Sequence, residues 1–463
     1  MNPQLKDLHP DYLIAPRWLV PVVPYAQVLE NHLVAVSGDK ISAIVDCQHA
    51  DSLWPEVERI ELPDHVLMPG LINTHCHSAM TLFRGFADDL PLHDWLYENI
   101  WPAEQRWVGP DFVRDGTELA VVEMLRSGTT CFNDNYFFPD VAAAVAVKAG
   151  MRITAGLLII DLPTAWAADA DEYFRRGIEV HQNYLDEPLV RTAFAPHAPY
   201  SVSDLQLERI RLLADEMDIP IHMHLQESAW EIQDSMEKHG IRPMARLEKL
   251  GLLSPRLMAV HMTQVTDHEI DLLASHGVHV LHCPESNLKL ASGFCPVHKL
   301  KAAGVNITIA TDGAASNNDL DLLGEAQTAS FMAKGVAGNP KALPVADALE
   351  MITINAARAL GMENEIGSIE VGKQADFCAL DFSAPESHPV HDVLSQIIYA
   401  SHRQQVTDVW VRGERLLKDG VLVRMDIGDI ISRADQWGER LQRHRHEHQQ
   451  LSKSVGQADR EDK

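Results

Sequence analysis

Two His-x-His pairs are the residues in this chain best suited to chemistry. His75 and His77 close the run Pro69-Gly70-Leu71-Ile72-Asn73-Thr74-His75-Cys76-His77, and His222 and His224 lie in Ile221-His222-Met223-His224-Leu225-Gln226-Glu227. On a strand, side chains two residues apart point to the same side, so each pair delivers two imidazoles to one place. Imidazoles placed together can share a divalent cation, with zinc the first expectation. Position at a strand end favours His224 as a third ligand. His222 lies one layer deeper and reads as a hydrogen-bonded core histidine. Glu227 falls on the loop just after that strand, near enough to move protons beside a metal. Asp312, in Thr311-Asp312-Gly313-Ala314-Ala315-Ser316-Asn317-Asn318, would complete three histidines and one carboxylate, leaving a position for water. Alone, Asp312 also reads as a helix N-cap. His261 and the His197 of Pro196-His197-Ala198-Pro199-Tyr200 sit at further strand ends, as candidates for catalytic and substrate contacts.

The elements that must position these residues alternate along the middle of the chain. Eight apolar runs read as strands: Val66-Leu67-Met68, Thr129-Thr130-Cys131-Phe132, 153–160, 190–194, Ile219-Pro220-Ile221, 257–260, Val278-His279-Val280-Leu281 and Ile307-Thr308-Ile309-Ala310. Helices lie between several of them. Thr266-Asp267-His268-Glu269 is a capping box opening a helix that stops at Gly277. Ser203-Asp204-Leu205-Gln206 opens another, and Gly128, Gly251 and Gly304 stand where helices should end. Eight β-then-α units imply a parallel (β/α)8 barrel, whose sites lie at the C-terminal ends of the strands. A doubly wound open sheet is the alternative. The ends of the chain are β-rich instead. Leu33 to Val36 and Ile41 to Val45 flank Ser37-Gly38-Asp39-Lys40 as a hairpin. Val409-Trp410-Val411 and Leu422-Val423 flank turns at Gly413 and Gly420, and Phe377 to Leu380 follow a turn. The expected α/β organisation is therefore a small β-sandwich domain from residues 1–66 and 366–429, a barrel over 67–365, and a polar tail over 430–463. That tail reads as an exposed helix fraying into disorder, and its Arg443-His444-Arg445-His446-Glu447-His448 run as a solvated segment.

Composition narrows the function. Lys+Arg 39 against Asp+Glu 66 gives a formal net charge of -27, which disfavours nucleic acid and anionic membranes as partners. A length of 463 residues suggests about three domains, a weak prior when one barrel alone can take about 250 residues. The six cysteines (Cys47, Cys76, Cys131, Cys283, Cys295 and Cys378) form no CxxC pair, so neither a disulfide framework nor a cysteine zinc site is expected. No secretory leader or long apolar span is evident, and a cytoplasmic location is the default. GxGxxG, GxxxxGK[ST], GxSxG, HExxH and PCxxC are all absent. The fourth strand offers no lysine for carboxylation between two metals, so one metal is expected.

The segments PGLINTHCHSAMTLFRG, HMHLQES and TDGAASNNDLDLL resemble the amidohydrolase superfamily, in its branch of aminohydrolases acting on heterocyclic rings. GSIEVGKQADF is similar to that family's return into its small β domain. Within the branch, the chain most resembles 5-methylthioadenosine/S-adenosylhomocysteine deaminases, through Trp95 and Glu104 in the long loop after the first strand, Pro196-His197-Ala198-Pro199-Tyr200, and the HxxE of His224 and Glu227. The resemblance implies that His75, His77, His224 and Asp312 bind the metal. It also implies that Glu104, His197, Glu227 and Asp312 contact a nucleoside, with Glu104 at the ribose hydroxyls and Trp95 walling the pocket. An arginine at the substrate's tail is not placed among Arg152, Arg175, Arg176 and Arg191.

Hydrolytic deamination adds water to an electron-poor ring carbon, protonates a ring nitrogen and expels ammonia. Bound metal lowers a water's pKa towards about 7. Asp312 is the expected base, Glu227 the shuttle to the ring nitrogen, and His261 the residue that orients the oxygen. For Glu227 to donate, enclosure must raise its pKa. The expected substrate is a small adenine nucleoside with a 5′ thioether. Guanine or cytosine deamination and triazine dechlorination would use the same metal machinery, so loop residues around Glu104 and His197 decide. A scaffold that kept only the barrel would not need the full ligand set. Barrels of this size commonly form homo-oligomers, which sequence alone leaves open.

Overall fold

A computed structural model describes residue 5 and residues 7–443. Eight parallel strands follow one another in chain order: Leu71–Cys76, Thr129–Asp134, Arg152–Ile159, Val190–Pro196, Ile221–Leu225, Leu257–His261, His279–His282 and Ile307–Ile309. Each is hydrogen-bonded to its neighbour, and side-chain and backbone hydrogen bonds close the ring between the eighth and the first. Asn73 donates to Thr311 Oγ1 at 2.8 Å, the Thr74 and Thr308 hydroxyls meet at 2.7 Å, and the Asp312 amide donates to the His75 carbonyl at 3.1 Å. The fold is a (β/α)8 barrel. The helix Asp267–His276 opens on the Thr266–Glu269 capping box and ends at Gly277, as its sequence predicts.

Seven of the eight expected runs overlap barrel strands, Ile219-Pro220-Ile221 by its last residue alone. Val66-Leu67-Met68 does not. It belongs to Glu58–Pro69, which pairs with Tyr12–Leu19 and Phe377–Asp381 in the other sheet. The chain leaves that sheet at Gly70, where an added Cβ would stand 2.2 Å from the Thr130 side chain, and the first barrel strand begins at Leu71. An apolar stretch spanning one glycine does not reveal that it serves two sheets in turn.

The second sheet has nine strands drawn from both ends of the chain. Only Tyr12–Leu19 and Glu58–Pro69 pair in parallel, and the other pairings are antiparallel. The N-terminal hairpin forms where expected, with Val36 opposite Ile41 and Leu33 opposite Val45. The C-terminal one contains an additional strand, Glu414–Lys418, between the turns at Gly413 and Gly420. Contacts across this sheet join residues from both ends of the chain. Tyr12 donates its hydroxyl to the Gly413 carbonyl at 2.6 Å, and Ile14, Val34, Phe377 and Trp410 are buried together between the layers.

A buried ion pair ties this sheet to the barrel. Arg152 reaches Asp376 at 2.6 Å, and both side chains are almost fully enclosed. Asp376 also accepts from the Arg412 amide, and its carbonyl takes the Gly70 amide. Removing one member of such a pair strands the other charge, so Asp376→Ala is expected to cost about 3–5 kcal/mol. A fall in the urea midpoint of unfolding measures it.

Residues 427–443 are helical and mostly exposed, as expected, but one face of the helix is buried. Ile430, Trp437 and Leu441 are buried, and Trp437 packs edge-on against Phe112 while its Nε1–H donates to Asp115 at 2.9 Å. Spacings of seven and four residues put these apolar groups on one face, which a mainly charged composition conceals. The histidine-rich stretch from His444 onward lies outside the described residues. Among the described residues, no helix is long and apolar enough to cross a membrane.

Candidate metal centre and active site

The strand ends converge as their sequence order implies. His75 lies one residue from the end of the first strand with His77 just beyond it, His224 lies on the fifth, and Asp312 follows the eighth. One ligand atom from each of the four lies within 4.8 Å of all the others. His75 Nε2 and His77 Nε2 stand 3.1 Å and 3.2 Å from Asp312 Oδ1, and His224 Nε2 is 3.3 Å from His77 Nε2. The backbone turns sharply to achieve this. Gln226, His261 and Asp312, at three different strand ends, all have left-handed φ, of 50°, 73° and 62°. Such residues cost about 1–3 kcal/mol each and persist where surrounding structure enforces them.

The donor set fits a divalent cation. His77 Nδ1–H and His224 Nδ1–H donate to the Asn135 and His197 carbonyls at 2.5 Å and 2.6 Å, which turns each Nε2 to the centre. His75 Nδ1 lies 2.9 Å from His222 Nε2, so the core histidine expected from sequence orients a neighbour of the cluster. Asp312 Oδ2 accepts from Ser286 and Ser316 at 2.6 Å and 2.7 Å, which leaves Oδ1 facing the imidazoles. This outer shell is what metal-ligating histidines and carboxylates require. Burial lowers the His75 imidazole to about 4 and that of His224 well below its ordinary value, keeping both neutral. For Asp312, burial raises the pKa, but hydrogen bonds to His75 and His77 overcome it and hold the carboxyl well below its usual range. His77 goes the other way, to about 9; burial opposes this and the Asp312 carboxylate outweighs it. A cation competes with that proton for Nε2, so loading releases it.

The cluster lies at a cleft whose walls include Trp95, Glu104, His197, Glu227 and His261. Glu227 Oε2 stands 3.6 Å from His261 Nε2, and Glu227 Oε1 accepts from Ser292 at 3.3 Å. Burial raises the Glu227 carboxyl above its usual value. His261 Nδ1 is held by Asn287 at 2.9 Å. Burial likewise pushes Glu104 up to about 7, although Tyr136 donates its hydroxyl to it at 2.7 Å. His197 is lowered to about 3 by burial and by His77 and His75, and it contacts Ser201 through Nδ1.

A sequence model of the amidohydrolase family matches residues 66–416. The chain belongs to that family. A 5-methylthioadenosine/S-adenosylhomocysteine deaminase of Saccharophagus degradans is 48% identical over 94% of this chain and 98% of its own. A 5′-deoxyadenosine deaminase of Methanopyrus kandleri is 39% identical over 90% and 96%. The crystal structure of an adenosine deaminase from Xanthomonas campestris with bound zinc superposes with a TM-score of 0.92 at 53% identity, covering 93% of this chain and 98% of the other.

This amidohydrolase brings all nine sequence-selected site residues into or beside one cleft. The segment carrying Trp95 and Glu104 is helical rather than a loop, running Leu92–Asp94, Trp95–Ile100 and Trp101–Trp107. An α-helix turns about 100° per residue, so residues nine apart would face opposite ways. The wider π turn over Trp95–Ile100 under-winds the helix between them, and both side chains reach the cleft. Sequence reading missed Tyr136, Asn135, Ser292 and Glu231. Of these only Glu231 has a local signal, Ser228-x-x-Glu231, which resembles a capping box. Ser228 does cap the helix Ala229–His239. The Glu231 carboxyl, however, accepts from the Gln226 and Glu227 amides, both at 2.9 Å, and so fixes the turn that presents Glu227.

Proposed function

We propose that this protein is a metal-dependent deaminase that converts 5′-thioether adenosines to their inosine analogues and ammonia. The observation that carries the reading is the buried Glu104 carboxyl, which opens on the same cleft as the His–Asp cluster and, among the described residues, takes its side-chain hydrogen bond from the Tyr136 hydroxyl. A vicinal ribose diol is a matching donor for it, and a bare nucleobase or a triazine has none. The names of the relatives, all adenine-nucleoside deaminases, support the same substrate class.

His75, His77, His224 and Asp312 are the proposed holders of one divalent ion, zinc by analogy with the Xanthomonas structure. When bound, such an ion lowers the pKa of a coordinated water to about 7. Asp312 Oδ1 accepts a proton from the attacking water as its oxygen bonds to the amino-bearing ring carbon. Glu227 delivers a proton to the adjacent ring nitrogen, which its raised pKa permits. His261 Nε2, beside Glu227, orients the new oxygen. The hydroxyl proton then passes to the amino group, the C–N bond breaks and ammonia leaves. Trp95 and His197 wall and contact the base. The six cysteines, all unpaired, accord with a reducing cytoplasm as the working compartment.

Ammonia release from adenine nucleosides, guanine, cytosine and chlorotriazines tests the reading, with metal analysis on the same preparation. Turnover of the nucleosides is expected, and preference for a bare base would overturn it. The pH response adds a sign. A carboxyl raised to about 7 is neutral below that pH and charged above it, and the charged form accepts hydroxyl donors better. The nucleoside KM is therefore expected to fall as pH rises through about 7. Glu104→Gln should abolish that fall and raise KM about tenfold or more at pH 8, by loss of a charge-assisted hydrogen bond.

A further inference from the structure

The helix Pro284–Lys289, which follows the seventh barrel strand, meets the site at three places. Ser286 donates to Asp312 Oδ2 at 2.6 Å, and the side chain of Asn287 meets His261 Nδ1 at 2.9 Å. The Asn287 carbonyl takes the Ser292 amide at 3.0 Å, and the Ser292 hydroxyl in turn donates to Glu227 Oε1. Asn287 therefore stands behind both His261 and Glu227, whose facing atoms are 3.6 Å apart. It lies behind the cleft wall and outside the metal cluster, and both it and His261 are almost fully buried. The carboxamide uses one end alone. Its Oδ1 faces His261, while its Nδ2 is buried and has no hydrogen-bond partner among the described residues. A buried amide nitrogen without a partner costs stability, so packing alone does not favour asparagine at this position.

We propose that Asn287 is a positioning residue that fixes the ring and the tautomer of His261 for the deamination. The inference rests on the deaminase reading and adds a residue to it. A carbonyl oxygen can only accept, so the hydrogen of a neutral His261 lies on Nδ1. Nε2 then turns a lone pair to the cleft. There it accepts the O–H of the attacking water that Asp312 does not take, and holds the same O–H once the oxygen has bonded to the ring carbon. An imidazole free to rotate, or carrying its hydrogen on Nε2, loses that alignment. The short helix thus sets the base, the orienting histidine and the proton carrier from one side.

The test measures kcat, KM and metal content of the full, metal-loaded chain on 5′-methylthioadenosine. Asn287→Leu removes the acceptor and is expected to lower kcat about 10²-fold, the scale lost with one group that steadies a reacting oxygen. KM and metal content should change little. Asn287→Asp keeps the acceptor and drops only the unpartnered nitrogen, so it should recover most of the rate. In a His261→Ala background, Asn287→Leu should cost nothing further, because a residue that acts through another has no effect once the other is gone. A purely structural role would lower kcat equally in both backgrounds and overturn the inference. Asn287→Asp as slow as Asn287→Leu would also overturn it, leaving the deaminase reading standing. Failure of the unmodified chain to release ammonia would remove that reading and the inference with it.

Discussion

Glu227→Gln is expected to retain the metal and lose about 10²–10⁴-fold in kcat, the range in which a positioned proton donor acts. The substitution keeps the side chain's shape, its Ser292 contact and its place beside His261, but removes the proton that must reach the ring nitrogen. Glu227 is not among the four residues whose ligand atoms cluster, so metal analysis should match the unmodified chain. Steady-state ammonia release and metal content measured together distinguish this from collapse of the site. Turnover near normal would exclude Glu227 as the proton carrier. Depleted metal would mean that it shapes the cluster instead.

His75→Ala should fail differently, losing metal and turnover together. His75 contributes Nε2 to the cluster and is fully buried, and its Nδ1 is the partner of His222 Nε2. Removing it takes away a ligand and strands an imidazole nitrogen in the barrel interior. The loss of metal affinity should exceed the about 10–100-fold that follows removal of an outer-shell partner. His222→Ala supplies that lesser case, and the two variants should rank in this order when dialysed against a graded chelator. Retention of full metal by His75→Ala would remove it from the ligand set.

The reach of the sequence differs between the strand-borne and helix-borne parts of the site. His75, His224 and Asp312 were legible because a barrel aligns its strand ends, so order along the chain becomes neighbourhood in space. Helix punctuation was equally local, and the Thr266–Glu269 box is found as written. The strand containing Val66 belongs to the other sheet because the chain changes sheets at Gly70, where the hydrophobic pattern shows no break and the Thr130 side chain that a Cβ would meet is 60 residues away in the chain. The buried face of residues 427–443 was hidden for a related reason, since Trp437 finds Phe112 and Asp115 more than 300 residues earlier.

By itself, then, the sequence determined the barrel, the identity of the cluster residues and the kind of chemistry they support. These follow from periodicity, local capping and residue type, all of which act over a few residues. The tertiary structure alone decided that Glu104 faces the cleft through a π turn and that Glu231 holds the turn bearing Glu227. Each depends on groups brought together from distant segments or on how a helix winds. No local pattern encodes the shape and charge of a cavity, because these belong to the walls jointly.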